Sequence, residues 1–244
     1  MSNELADWLT RVERDQTHPN QRPRDAATII LVDRSETVPK VLLGRRHANH
    51  KFMPGKFVFP GGRVEPSDRD VPIATELDPA LEARLLRQMQ RPSRAKARAF
   101  AVAAIRELFE ETGLFLGKKD PAAAALAGGP LAAFAEAGVV PDLGALHFVA
   151  RAITPPRRPK RFDTRFFAAD ATNIIHKIDG VIGPDAELVE LVWLPVTEVK
   201  NLDMPTITKV VLIELEARTA AGFEHHLPSP FYRVLQRRFV RQEL

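Results

Sequence analysis

AAIRELFEETG, residues 103–113, is the stretch on which the reading of this chain turns. Successive residues of an α-helix rotate by about 100°, so with Glu107 as origin Glu110 and Glu111 fall about 60° to one side and about 40° to the other. Ala101, Ile105, Leu108 and Phe109 take the opposite face, which predicts an amphipathic helix whose apolar side and acid side are separate. The acid side breaks two local rules. Glu107 and Glu111 repel as an i, i+4 pair, at a cost of about 0.2–0.5 kcal/mol, and acids in a last helical turn oppose the macrodipole. A hard divalent cation resolves both conflicts, and Mg²⁺ is commonly shared between one or two carboxylates and substrate phosphates. Arg106, one turn before Glu110, can pair with it and hold the cluster in shape. Gly113 suits the left-handed residue that ends a helix. A solvated acidic face would explain three glutamates alone. The full pattern Arg-Glu-apolar-any-Glu-Glu-any-Gly-apolar, however, arises by accident in a chain of this length with a probability on the order of 10⁻⁵, which favours a functional reading.

Working outward, TIILV (28–32) and VLL (41–43) are β-rich runs joined by a polar turn, and KFVF (56–59) is a further strand that stops at Pro60-Gly61-Gly62. DPALEARLLRQMQ (78–90) offers Asp78 as N-cap, Pro79 in the first turn and a core stripe of Leu81, Leu85 and Met89. Pro92 closes that helix, and Ser93 caps the longer one that runs to Thr112. Residues 121–137 read as two short helices, and strands are expected at 146–154, 162–169 and 188–195. The C-terminal part reads as helical again, near Ile207–Arg218 and near Phe231–Arg241. The first two dozen residues are the one tract read as disordered. Strands with helices between them in one mixed sheet make this an α/β layered domain.

The chain has 244 residues and no cysteine, which excludes disulfides and thiolate chemistry and restricts any metal to oxygen or nitrogen ligands. The acidic start and the lack of a long apolar run point away from a secretory signal or a membrane span and toward a cytoplasmic protein. A net charge of +4 allows an anionic ligand but does not argue for nucleic acid.

Arg106-Glu107-Leu108-Phe109-Glu110-Glu111-Thr112-Gly113-Leu114 resembles the second half of the Nudix box, and Gly62-Arg63-Val64-Glu65, after Phe59-Pro60-Gly61, resembles the first. The resemblance implies an α/β/α sandwich over residues 26–215, with 1–25 as an N-terminal extension and 216–244 as a C-terminal helical extension. It also implies a Mg²⁺ (or Mn²⁺) hydrolase of diphosphate linkages in a small-molecule nucleoside diphosphate derivative. In the usual box an acid follows the glycine after five residues and the arginine after seven more. Here Asp68 stands at the first place but 37 residues, 69 to 105, precede Arg106, while counting back from Arg106 lands on Arg98. A helical insertion at about 69–97 accounts for the difference. Together with FMPGKFVFPGG (52–62) and RFDTRFF (161–167), that insertion is similar to a Nudix subgroup that includes an animal peroxisomal coenzyme A diphosphatase.

The resemblance assigns catalysis to Glu107, Glu110 and Arg106, metal binding to Glu107, Glu110 and Glu111, and substrate binding to Arg46, Gly61, Gly62, Arg63 and Arg165. The general base is on the helix or at Glu187 or Glu190, acids beside a strand that read first as ordinary surface groups. The cations Arg151, Arg157, Arg158, Lys160, Arg161 and Arg165 either grip phosphates or belong to a solvated loop, and His225 and His226 read as surface residues. Three functions follow: a hydrolase of coenzyme A or acyl-CoA, the same chemistry on ADP-ribose or a dinucleotide, and a nucleotide-sensing module without catalysis. The insertion could shape the pocket or the contact of a homodimer.

Overall fold

The computed structural model describes residues 2–12, 16–49 and 53–244; Phe52, the first residue of the 52–62 stretch, lies outside them. Helix α1 (Ser2–Arg11) leads to strands β1 (Arg24–Asp33), β2 (Lys40–Arg46), β3 (Phe57–Val58) and β4 (Gly61–Arg63). Helices α2 (Pro79–Leu86) and α3 (Arg94–Thr112) follow, then β5 (Leu114–Lys119), α4 (Ala132–Glu136), β6 (Val139–Pro141), β7 (His147–Ile153), β8 (Phe162–Asp170) and β9 (Ile174–Lys177). The chain continues through β10 (Leu188–Pro195), α5 (Val196–Val199), α6 (Thr206–Ala220), β11 (Pro230–Leu235) and β12 (Arg238–Glu243).

The main sheet runs β10-β2-β1-β8-β7-β11-β12, with β3 added to β2 and β4 to β1. Strands β1 and β8 pair parallel, as do β7 and β11, so the sheet is mixed. Side chains alternate across a strand, and here the alternation feeds two cores. Ala27, Ile29 and Leu31 of β1 pack in the layer of α2 and α3, whereas Ile30 and Val32 pack in the layer of α1 and α6. A sheet covered on both faces is the α/β/α sandwich expected. A small sheet, β6-β5-β9, continues from the end of α3.

Local sequence sets the helix ends. The Ser93 side chain accepts from Lys96 N, and Gly113 at φ 74 donates its N–H to Phe109 O, closing α3 with a left-handed residue. Asp78 accepts from Ala80 N and Leu81 N at the start of α2. Leu81, Leu85 and Met89 are buried as the stripe predicts, each of the leucines contributing about 1.5–3 kcal/mol by the usual area relation. The inserted segment is therefore part of the core.

Four expectations are corrected. Helix α2 stops at Leu86, short of Pro92, because Gln88 takes a positive φ of 52° that no helix accommodates. Residues 231–241 form no helix: they are most of the β11–β12 hairpin, which turns at Gln236 and Arg237, both at positive φ. Phe231 packs in the layer of α2 and α3 and its neighbour Tyr232 in the layer of α1 and α6, as alternation along a strand requires. The N-terminal tract is ordered at α1, where Ala6 and Leu9 are buried and Thr10 Oγ1 accepts from Phe239 N at 2.9 Å. His225 is half-buried and stacks on His147 with centroids 4.2 Å apart.

Candidate active site

Strand β4 is three residues long, and two of them are glycine because α3 crowds Gly62 and β1 crowds Gly61. A Cβ on Gly62 would lie 2.4 Å from the Glu107 carboxylate, and one on Gly61 would lie 2.5 Å from Ala27 O. The Gly61 N–H donates to Glu111 Oε2 at 3.0 Å. The Pro-Gly-Gly turn thus lets two helical carboxylates reach the backbone of the sheet.

Arg106 ties this arrangement together. Its Nε donates to Asp68 Oδ1 at 2.9 Å and its Nη2 to Asp68 Oδ2 at 3.2 Å. Nη1 donates to Glu107 at 2.8 Å and to Glu110 at 2.9 Å, and Nη2 also to Arg63 O at 2.8 Å. Asp68 is fully buried and accepts from Glu65 N at 2.7 Å. Asp68 rather than Arg98 therefore faces Arg106 across the insertion; Arg98 turns to Val71 O at 2.6 Å. Burial alone would lower the Arg106 pKa, but pairing with Asp68 and Glu107 outweighs it and holds the guanidinium above its ordinary value.

The acid face is not a solvated one. Glu111 is 6% exposed. Burial pushes its pKa well above the usual carboxylate range, and the charge of Glu187 adds to this against the Gly61 N–H. Glu107 is raised by burial too, with Arg106 opposing and Glu110 and Glu187 adding. Two crowded carboxylates, Glu111 buried and Glu107 half-buried, short of positive charge, are a hard-oxygen donor set that fits a divalent cation. Among the described residues no three Asp, Glu or His side chains are already grouped as metal ligands.

A cleft of about 460 Å³ opens beside them. Arg46, Gly61, Gly62, Arg63 and Glu107 line it, and Glu111 sits behind Gly61. Glu110 does not join them: its carboxylate, 43% exposed, is turned to Arg106. Arg165 is not placed there either, since alternation along β8 sends Thr164 and Phe166 to the cleft and Arg165 to the opposite face with Asp163. Of the two off-helix acids, Glu187 lines the cleft, paired with Arg46, whereas Glu190 pairs with Arg45 at 2.7 Å.

The fold and motif geometry can be set beside known proteins. No protein-family model matches the chain. The crystal structure of a NUDIX hydrolase from Alicyclobacillus acidocaldarius is 28% identical and superposes with a TM-score of 0.60, over 81% of this chain and 92% of that one. The chain is similar to Nudix hydrolases in sequence and in fold. Nudix hydrolase 7 of Caenorhabditis elegans is 30% identical over 156 residues, 59% of this chain and 43% of the relative, so the match spans less than half of that protein. The NUDIX domain of Shewanella oneidensis NrtR, solved with ADP ribose, is 15% identical with a TM-score of 0.46, over 88% and 97% of the two chains.

Within the Nudix fold, sequence reasoning had not singled out Glu65, Thr28 or Phe166 as cleft residues, and it left Lys160 undecided. Glu65 was visible in the Gly-Arg-Val-Glu run. The alternation of β1 and β8 would have found the other two once the strands were paired, a pairing that joins residues 138 positions apart.

Proposed function

We propose that this chain is a Nudix hydrolase that cleaves a diphosphate linkage with Mg²⁺ or Mn²⁺, and that coenzyme A or an acyl-CoA is the substrate. The observation that carries the reading is the pair Glu107 and Glu111, buried against Gly61 and Gly62 at the edge of a cleft that also presents Arg46, Arg63 and Lys160. Glu107 and Glu111 would hold the ion, with Glu187 within electrostatic reach. When bound, the ion supplies positive charge for the phosphoryl oxygens. Arg46, Arg63 and Lys160 grip and orient the diphosphate. Arg106 acts by positioning, since its donors hold Asp68, Glu107 and Glu110. Glu187, steadied by Arg46, accepts the proton of the attacking water, a role that Glu110 is turned away from.

The choice of coenzyme A is supported by a second cavity of about 410 Å³ that shares Met53, Lys160, Phe166 and Ile207 with the cleft. Leu9, Met204 and Phe239 give it apolar walls, and Lys56 and Arg158 add charge. Such a surface suits a substrate with a phosphate-bearing head and a long, weakly polar arm. The test is incubation of purified protein with Mg²⁺ and a panel of diphosphates, with products identified by mass. Phosphopantetheine and adenosine 3′,5′-bisphosphate are the expected products. AMP and ribose phosphate would move the assignment to ADP-ribose, and tight binding of one compound with no turnover of any would make the chain a sensor.

A further inference from the structure

The face of β1 and β8 turned away from the glutamate cleft carries a second polar cavity, of about 300 Å³. We propose that this cavity is a separate binding site for a compact anion of the phosphate class, built jointly by the sheet and by the exit of the insertion. Its wall holds five cationic side chains, Arg22, Lys96, Arg151, Arg165 and Arg233, against two carboxylates, Asp25 and Asp163.

Those two carboxylates are already engaged. Asp163 accepts from Arg151 Nε and Nη2, both at 2.8 Å, and pairs with Arg165 at 2.9 Å. Asp25 pairs with Lys96 at 2.9 Å. Among the described residues Arg22 and Arg233 have no carboxylate partner: Arg22 donates to Gln90 Oε1 at 2.7 Å, and Arg233 lies over the Phe231 ring. The Nε atoms of Arg165 and Arg233 are buried without a hydrogen-bond partner, and Arg165 as a whole is 1% exposed. Buried donors are nearly always satisfied, and guanidinium groups match the oxygens of phosphate in forked pairs. A concave surface with surplus positive charge therefore asks for an acceptor-rich anion. Burial lowers the Arg165 pKa to about 10, a shift that a bound anion would oppose.

The insertion is joined to this site directly. Arg151 Nη1 donates to Gln88 O at 3.1 Å and to Arg87 O at 3.3 Å, just past α2. Gln88 and Arg91 hold positive φ values of 52° and 50° without being glycine, a conformation that is sustained only where surroundings fix it. Anion binding here would tighten the segment that returns the chain to α3.

The experiment is calorimetric titration of the full chain with inorganic phosphate, pyrophosphate and AMP in EDTA, so that binding is read without turnover and independently of the hydrolase assignment. One anion per chain is expected, bound about tenfold or more weakly by an Arg22→Ser/Arg233→Ser variant and unchanged in Arg46→Ser. AMP binding tighter than phosphate would identify a phosphate ester as the source, and pyrophosphate binding tighter than AMP a free anion. NMR of the wild-type arginine Nε–H groups provides a readout that does not depend on a variant folding: Arg165 and Arg233 signals should shift with the anion. Binding no tighter than about 1 mM for all three, loss in Arg46→Ser with retention in the double variant, or unmoved Arg165 and Arg233 signals would overturn the proposal.

Discussion

Two charge clusters touch α3, one at its C-terminal turns and one over the Phe100 ring, and they differ in the sign that is left over. On one side Arg106 serves Asp68, Glu107 and Glu110, with Glu111 and Glu187 beyond its reach, so carboxylates are in excess. On the other, Arg151 and Arg165 share Asp163, so cations are in excess. Burial would raise Asp163, but hydrogen bonds from Arg151 and the charges of Arg165 and Arg151 outweigh it and hold the carboxyl below its ordinary value. Glu107, half-buried like Asp163, and the more buried Glu111 are raised instead. Burial alone thus does not tell a structural ion pair from a ligand site. The balance of charge within the cluster does, because a shortfall can be met from outside the chain.

The comparison is most severely tested at Arg106. Arg106→Met strands the fully buried Asp68, and equilibrium urea unfolding is expected to show a loss of about 3–5 kcal/mol; a loss under about 1 kcal/mol, the range of an exposed pair, would mean that Arg106 is not the keystone described. Glu111→Gln is expected to lower kcat by about 10²–10³-fold while the circular dichroism spectrum stays native. Activity within a few-fold of wild type would contradict its proposed metal role.

If the acid-rich cluster is short of positive charge, Mg²⁺ or Mn²⁺ at about a hundredfold excess over its Kd should stabilise the wild type by about 2.7 kcal/mol in a thermal melt. Glu107→Gln/Glu111→Gln should lose that response. The cation-rich cluster responds to acid instead. Asp163 has a depressed folded-state pKa, so its contribution is fully present above its unfolded value of 3.8 and fades as pH falls through the lower folded value. Asp163→Asn should remove about 1.5–3 kcal/mol at neutral pH and flatten the acid limb of the stability profile. An unchanged acid limb would assign that limb to other groups. The smallest effect is expected at the exposed pair Arg45–Glu190: Glu190→Gln should change stability by no more than about 1 kcal/mol and leave kcat unaltered, whereas Glu187→Gln should slow turnover about 10²–10⁴-fold.

Local signals carried much of this structure. Ser93, Asp78 and Gly113 mark helix ends by chemistry confined to one turn, and the α3 pattern located Glu107, Glu111 and Arg106 before any fold was known. Features that depend on pairing were not legible in the same way. The direction of Arg165 follows from which strand neighbours β8 and which face is covered. The β11–β12 hairpin turns at Gln236-Arg237, which lacks the Asn-Gly or Asp-Gly signature of a tight turn, and its arginine-rich strands read as a polar helix. Glu110 shared a helical face with its neighbours in sequence, yet the single Arg106 guanidinium holds it outside the cleft.

The Asp68–Arg106 pair brackets everything between positions 69 and 105. Both ends of that excursion are pinned at one ion pair, and what lies between is packed rather than free: Leu81, Leu85 and Met89 are buried, and Arg94 to Ile105 already belong to α3. Only the connecting stretches between these packed elements can therefore grow or shrink at small entropic cost, about 0.6 kcal/mol for each doubling of a flexible loop, without disturbing the carboxylates. A contiguous linear pattern drawn from Gly62 to Leu114 breaks across this gap, while the same atoms remain neighbours in space.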